Sequence, residues 1–193
     1  MPDVSDFPIT QRWPAKRPDR LQLYSLPTPN GVKVSIMLEE IGLPYEVHRI
    51  DFDKGEQRTP EFLSLNPNGK IPAILDPDGP DGEPLPLFES GAILQYLAER
   101  TGKLLPATPA RRYKTIQWVH FQMGGIGPMF GQVGFFNKFA GREYMRTSDR
   151  FGVTSPSQNA CLASWKRILP DGSGSWTMNI PSPTFRCLAG CAT

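Results

Sequence analysis

Apolar and polar side chains alternate over residues 21–26, Leu-Gln-Leu-Tyr-Ser-Leu, which predicts a strand. Pro27, Pro29 and Gly31 break it. Val34, Met37, Leu38 and Ile41 then recur at i, i+3, i+4 and i+7, one face of a helix that Gly42 and Pro44 end. Residues 45–50, Tyr-Glu-Val-His-Arg-Ile, alternate again. A helix joins these two strands, so they are expected to pair in parallel. A polar loop over 51–58 leads to Thr59-Pro60-Glu61, an N-cap with proline at the first helical position. Two short strands, 72–75 and 86–88, flank Asp-Pro-Asp-Gly-Pro-Asp-Gly-Glu-Pro, turn chemistry that makes them a hairpin. The next helix opens on Glu89-Ser90 and is expected to bury Ala92, Ile93, Tyr96 and Leu97. The element order is βαβαββα.

The pattern changes afterwards. Residues 103–109 read as a linker, and Thr108-Pro109 opens another helix along which lie Tyr113, Ile116, His120 and Met123. Residues 124–134 are glycine-rich and contain Pro128. Glycine costs about 1 kcal/mol per helical site, so the helix is expected to bend or break there. From Gly152 onward no helical period exceeds two turns, and Asp171 is the only acid. A shifted reading frame produces such a change; if the tail is native, the helical domain is truncated and its apolar faces are left uncovered. At the other end, residues 1–20 hold four prolines and mixed charge and read as an extended arm. The expected divisions are an arm over 1–20, an α/β domain over 21–103, the start of an all-helical domain over 108–150 and an atypical tail over 151–193.

Composition narrows the function. The 193 residues suffice for one large or two small domains, and a net charge of +2 argues against a nucleic-acid partner. No run of 18 apolar residues predicts a membrane span, and the first ten residues lack the basic start and apolar core of a signal peptide. A cytoplasmic protein is expected. The three cysteines, Cys161, Cys187 and Cys191, all lie in the last 33 residues. Cys187 and Cys191 have no second pair and no nearby histidine, so no metal site is expected. No Cys-x-x-Cys pair exists in the first 160 residues, so any thiol chemistry needs a thiol that arrives with the ligand.

Candidate chemistry gathers around residues 63–98. Pro72 at the mouth of a strand donates nothing to the ladder. The N–H and C=O of Ile71 are then available to an extended ligand. A helix opening on Glu89-Ser90 offers N–H groups and a hydroxyl to a carboxylate. Together these describe a receptor for a small acidic peptide. Thr28 and Asn30 stand where the first strand meets the first helix. Lowering a thiol pKa from ~8.5 to about 6.5 takes roughly 2.7 kcal/mol. A hydrogen bond to a charged group supplies about 1.5–3 kcal/mol and a helix N-terminus roughly 0.3–1 kcal/mol. Either side chain with the helix end therefore suffices without a general base. Plainer readings stand beside these: Asn30 as a helix cap, Thr28 as a turn residue, Ile71-Pro72 as a strand-opening bend, Glu89-Ser90 as a simple cap and Gln57 as a solvated loop amide. Tyr24 reads as core or sheet surface, and His48 and His120 as ordinary strand and helix residues. Phe130, Phe135 and Phe136 serve equally well as an acceptor-substrate pocket or as packing.

Leu23-Tyr-Ser-Leu-Pro-Thr-Pro-Asn-Gly31, Pro60-Glu-Phe-Leu-Ser-Leu-Asn-Pro-Asn-Gly-Lys-Ile-Pro72, Leu87-Phe-Glu-Ser-Gly91 and Gly124-Gly-Ile-Gly-Pro-Met-Phe-Gly131 carry a resemblance. The chain is similar there to the glutathione transferase family, within it to the bacterial nu class, from about Arg12 to about Arg150. The resemblance implies an α/β thioredoxin-like N-terminal domain followed by an all-helical domain that is incomplete here. It implies a cis Ile71-Pro72 bond, with the Ile71 backbone pairing with the cysteinyl part of glutathione. Ser90 and the helix N–H groups take the γ-glutamyl carboxylate and Glu89 its ammonium, while Gln57 and Arg150 also reach glutathione. Thr28 and Asn30 face the thiol. The implied activity is glutathione-dependent reduction of disulfides, with weak transferase or peroxidase activity, by a homodimer holding one or two glutathiones and acting on a small disulfide or electrophile. The alternatives are a non-catalytic glutathione-binding or regulatory module and an inactive truncated product.

Overall fold

A computed structural model of the chain describes residues 3–138, with side chains as far as residue 134. They fall in two compact units, one running to Leu105 and one starting at Pro106. The first contains α1 (Ile9–Arg12), β1 (Leu21–Ser25), α2 (Pro29–Ile41), β2 (Tyr45–Arg49), α3 (Pro60–Leu65), β3 (Ala73–Asp76), β4 (Leu85–Phe88) and α4 (Ser90–Thr101). The sheet order is β2-β1-β3-β4. β1 and β2 are parallel, with Tyr24 opposite His48. β1 runs antiparallel to β3, with Tyr24 opposite Ala73, and β3 antiparallel to β4, with Ala73 opposite Phe88. From β1 onward this is the expected βαβαββα order, a thioredoxin-like domain.

β1 and β3 are buried along their whole length because both faces of the sheet are covered. Val34, Met37, Leu38 and Ile41 of α2 are buried, as the spacing predicts. Gly42 ends α2 with φ 71°, and its N–H bonds to the Leu38 carbonyl. The opposite core joins Tyr24, Ile50, Phe62, Leu65, Ala73 and Leu75 to Val4 and Ile9.

Those last two residues correct the reading of residues 1–20 as an extended arm. Residues 4–6 form a 3₁₀ turn and α1 follows, with Val4 and Ile9 only 2% and 1% exposed. Trp13 meets the edges of Tyr24 and Phe62 at centroid distances of 6.3 and 6.4 Å. The prolines turn the chain back on itself, and the apolar residues between them fill the face that the short α3 leaves open. Farther along, the Lys16 and Arg17 N–H groups donate to the Glu46 carboxylate at 3.1 and 2.7 Å. Gln22 is fully buried, donates to the Arg17 and Arg20 carbonyls and offers its Oε1 to His48 Nε2 at 2.8 Å. An amide oxygen only accepts, so His48 carries a proton on Nε2.

α4 also differs from expectation. It buries Ile93, Leu94, Leu97 and Ala98, whereas Ala92 is exposed and Tyr96 half-buried. The stripe is turned by one residue, about 100°. The Tyr96 hydroxyl donates to the fully buried Asp76 at 2.7 Å, and Arg100 pairs with the same carboxylate. A polar partner at the sheet end thus takes Tyr96 out of the apolar stripe.

In the second unit, α5 (Pro109–Phe121) starts after Thr108. The glycine-rich stretch does not break the helix. A π-helical turn over Gln122–Ile126 absorbs it, and α6 (Gly127–Lys138) continues. The widened ring accommodates residues of low α-propensity without ending the hydrogen-bonded path.

Candidate functional site

β1 ends at Ser25, β3 begins at Ala73, and β4 ends at Phe88. The register aligns all three at one end of the sheet. The turn into α2, the Ile71-Pro72 bond and the start of α4 therefore share that end.

Thr28 is the N-cap of α2, with Pro29 at the first helical position. Its Oγ1 accepts from the Gly31 N–H at 3.2 Å, and its carbonyl accepts from Val32. A hydroxyl that accepts in a cap retains its own proton for donation. Capping and ligand binding are therefore compatible in Thr28. Gly31 allows the close approach: a Cβ there would lie 2.2 Å from the Leu26 carbonyl oxygen and 2.5 Å from Ser25 Oγ. Asn30 is exposed and is not the cap. Its Oδ1 accepts from Lys33 Nζ at 2.8 Å. Lys33 went unnoticed in the sequence, although its i, i+3 spacing from Asn30 was the signal.

The Ile71-Pro72 bond is cis, as the resemblance implies. Among the described residues, the Ile71 N–H and C=O carry no backbone hydrogen bond. Asn66 shapes the loop that delivers them. It is 2% exposed, its Nδ2 donates to the Lys70 carbonyl at 2.6 Å, and its Oδ1 accepts from the Asn68 N–H at 3.0 Å.

Gln57 lies in a 3₁₀ turn, Glu56–Arg58, entered through Gly55 at φ 67°. Its carbonyl oxygen is 3.1 Å from where a Gly69 Cβ would stand, so this turn abuts the loop leading to Ile71. Gln57 Oε1 is buried without a hydrogen-bond partner among the described residues. An unmet buried acceptor costs about 1–3 kcal/mol, and a ligand donor would satisfy it. Glu56 beside it uses its carboxylate on Arg12 at 3.5 Å and on the Asp51 N–H at 2.7 Å.

Glu89 is the N-cap of α4 and adopts φ 71° and ψ 116°, while its side chain is exposed and makes no cap bond. Such a conformation in a non-glycine residue costs of order 1–3 kcal/mol and concentrates at functional sites. Ser90, the first helical residue, is 5% exposed. Arg150, like the cysteines and the atypical tail, lies outside the described residues, as do the side chains of Phe135 and Phe136. Tyr24 is core: it is fully buried and stacks on His48 at 4.6 Å, and burial together with Glu46 pushes its phenol pKa far up. No cluster of histidine, cysteine and carboxylate residues among the described residues could hold a metal.

A thioredoxin-like sheet carries two helix N-termini and a cis-proline strand entry at one end, and no cysteine lies among the described residues. A family model described as the N-terminal domain of glutathione S-transferase matches residues 19–99. The chain is 49% identical over 134 residues to the disulfide-bond oxidoreductase YfcG of Escherichia coli strain K12, covering 69% of this chain and 62% of that protein. A glutathione transferase from Pseudomonas putida, solved with one glutathione disulfide per subunit, is 56% identical with a TM-score of 0.83, covering 99% of this chain and 85% of its own. One from Burkholderia graminis, solved with two glutathione molecules per subunit, is 58% identical with a TM-score of 0.84, covering 98% and 81%. The chain belongs to the glutathione transferase family. It spans less than two thirds of the length of YfcG.

Proposed function

We propose that the protein binds glutathione at this end of the sheet and uses its thiol to reduce disulfides. The observation that carries the reading is the Thr28 cap: its hydroxyl accepts from Gly31 and keeps a donor at the N-terminus of α2. The remaining features fit the tripeptide. The Ile71 backbone pairs with its cysteinyl part, Ser90 and the first N–H groups of α4 receive the γ-glutamyl carboxylate, and Glu89 attracts the ammonium. Gln57 gains a donor for Oε1, and Arg150 is assigned to glutathione on the resemblance alone. Thr28 and Asn30 hold the sulfur as thiolate. The thiolate attacks one sulfur of a disulfide and expels the other as a thiolate that takes up a proton. A second glutathione thiolate attacks the mixed disulfide, giving glutathione disulfide and the second free thiol.

Nu-class kinship, a homodimer, a cytoplasmic setting and weak transferase activity belong to the same proposal and rest on the resemblance. So does the division into residues 21–103 and 108–150, which the change of compact unit between Leu105 and Pro106 supports. The test is reduction of a small model disulfide by purified protein with glutathione, beside Thr28→Ala. Turnover is expected to fall at least tenfold in the variant, with folding retained. Binding without turnover in the parent would favour a non-catalytic module, and absence of binding would overturn the site.

A further inference from the structure

Lys33 stands in an electrostatically unfavourable place. It is 2% exposed, and lysine is seldom buried unless paired. It sits in the second turn of α2, and helical side chains slant toward the N-terminus. Its Nζ reaches Asn30 Oδ1 in the first turn at 2.8 Å. A helix N-terminus already carries partial positive charge and disfavours a cation. An ammonium held there is suited to an anion or to aligning a dipole.

The contact has a definite chemical sense. An ammonium only donates, so the Asn30 atom facing it is the carbonyl oxygen, and the amide orientation is fixed. Both Nδ2 protons are then presented away from Lys33. A cation on the carbonyl also polarises the amide and strengthens its N–H donors. Without Lys33 the amide can turn over and present its oxygen, which repels a thiolate.

We propose that Lys33 is a positioning residue for the thiol chemistry, holding the Asn30 carboxamide with its Nδ2 donors toward the sulfur of the bound thiol. This rests on the glutathione site argued above. Lys33 acts through Asn30 and makes no contact with the reacting atoms. Lys33→Met keeps length and suits a buried position, whereas Lys33→Gln retains an N–H donor without the charge.

The experiment titrates the thiolate absorbance of glutathione bound to the parent protein, Lys33→Met, Lys33→Gln, Asn30→Ala and the Asn30→Ala/Lys33→Met double variant. Kd for glutathione and circular dichroism are recorded for each. Lys33→Met is expected to reduce the thiolate fraction about tenfold at a pH below the thiol pKa, and by much less at pH 9. Kd is expected to shift less than threefold, and Lys33→Gln to recover part of the loss. The double variant is expected to match Asn30→Ala, because the two residues form one unit. An unchanged thiolate titration in Lys33→Met, or losses that multiply in the double variant, would overturn the proposal while leaving the glutathione site intact. Parent protein that binds no glutathione would overturn the site and with it the role of Lys33. If Lys33→Met does not fold, Lys33→Gln decides: a titration shifted in the same direction as in Asn30→Ala supports the proposal, and an unshifted titration overturns it.

Discussion

Gln57 and Glu89 show how single residues are held at odds with their own stability. Gln57 keeps a buried amide oxygen without a partner among the described residues, and Glu89 holds a backbone conformation that glycine favours. Both lie at the sheet end that carries Thr28 and Ile71, where the proposed glutathione would meet what the free protein leaves unmet. Gln57→Met removes the stranded acceptor and keeps the volume. The free protein is expected to gain about 1 kcal/mol in urea unfolding, since a buried unsatisfied group costs about 1–3 kcal/mol. Glutathione affinity in calorimetry is expected to fall about tenfold, or ~1.4 kcal/mol. Lower stability with unchanged affinity would make Gln57 a structural residue.

Among the elements, the arm departs most from its pattern. Four prolines in twenty residues read as extended chain, yet Val4 and Ile9 fill a core face and Trp13 packs on Tyr24 and Phe62. α3 is six residues long and covers little of the sheet by itself. Arg12 also bridges to Glu56, the neighbour of Gln57. Ile9→Ala is expected to lower the unfolding free energy by about 2–5 kcal/mol, the range for truncating a buried aliphatic residue. A solvated arm would show less than ~0.5 kcal/mol in the same denaturation experiment.

Across the first unit as a whole, the polar cluster at β1 and β2 contributes to acid stability. Burial pushes the His48 pKa down, against the pull of Glu46 and helped by Lys16. Burial opposes the Glu46 carboxylate, but the Lys16 and Arg17 N–H bonds and His48 hold its pKa below the usual range. In both cases the unfolded chain binds protons more readily than the folded one. Stability is therefore full above the ordinary histidine value of about 6.5 and declines as pH falls toward the lowered folded value. Glu46 adds a second decline below the ordinary carboxylate range. Urea midpoints are expected to drop between pH 7.5 and 5, and His48→Gln to flatten that slope while leaving the loss at lower pH. A parallel slope in the variant would exclude His48 as its source.

The order βαβαββα, the parallel first pair, the hairpin and the Thr59 and Gly42 helix ends were legible from local pattern, whereas Thr28, not Asn30, proves to be the cap of α2. Periodicity of 2 or 3.6 reports which side of an element is apolar, and proline and glycine report where it stops. The cis bond and the ligand roles came from the resemblance, since neither follows from local pattern. Other features depend on what an element meets in space. Asp76 turned the α4 stripe by drawing in Tyr96, the open face beside α3 folded the arm, and the hydrogen-bonded path of the helix carried residues 122–126 through as a π turn. The burial of Lys33 and the stranded oxygen of Gln57 likewise appear only in the folded chain. Burial is a property of packed neighbours far apart in the chain, and the tertiary structure alone assigns it.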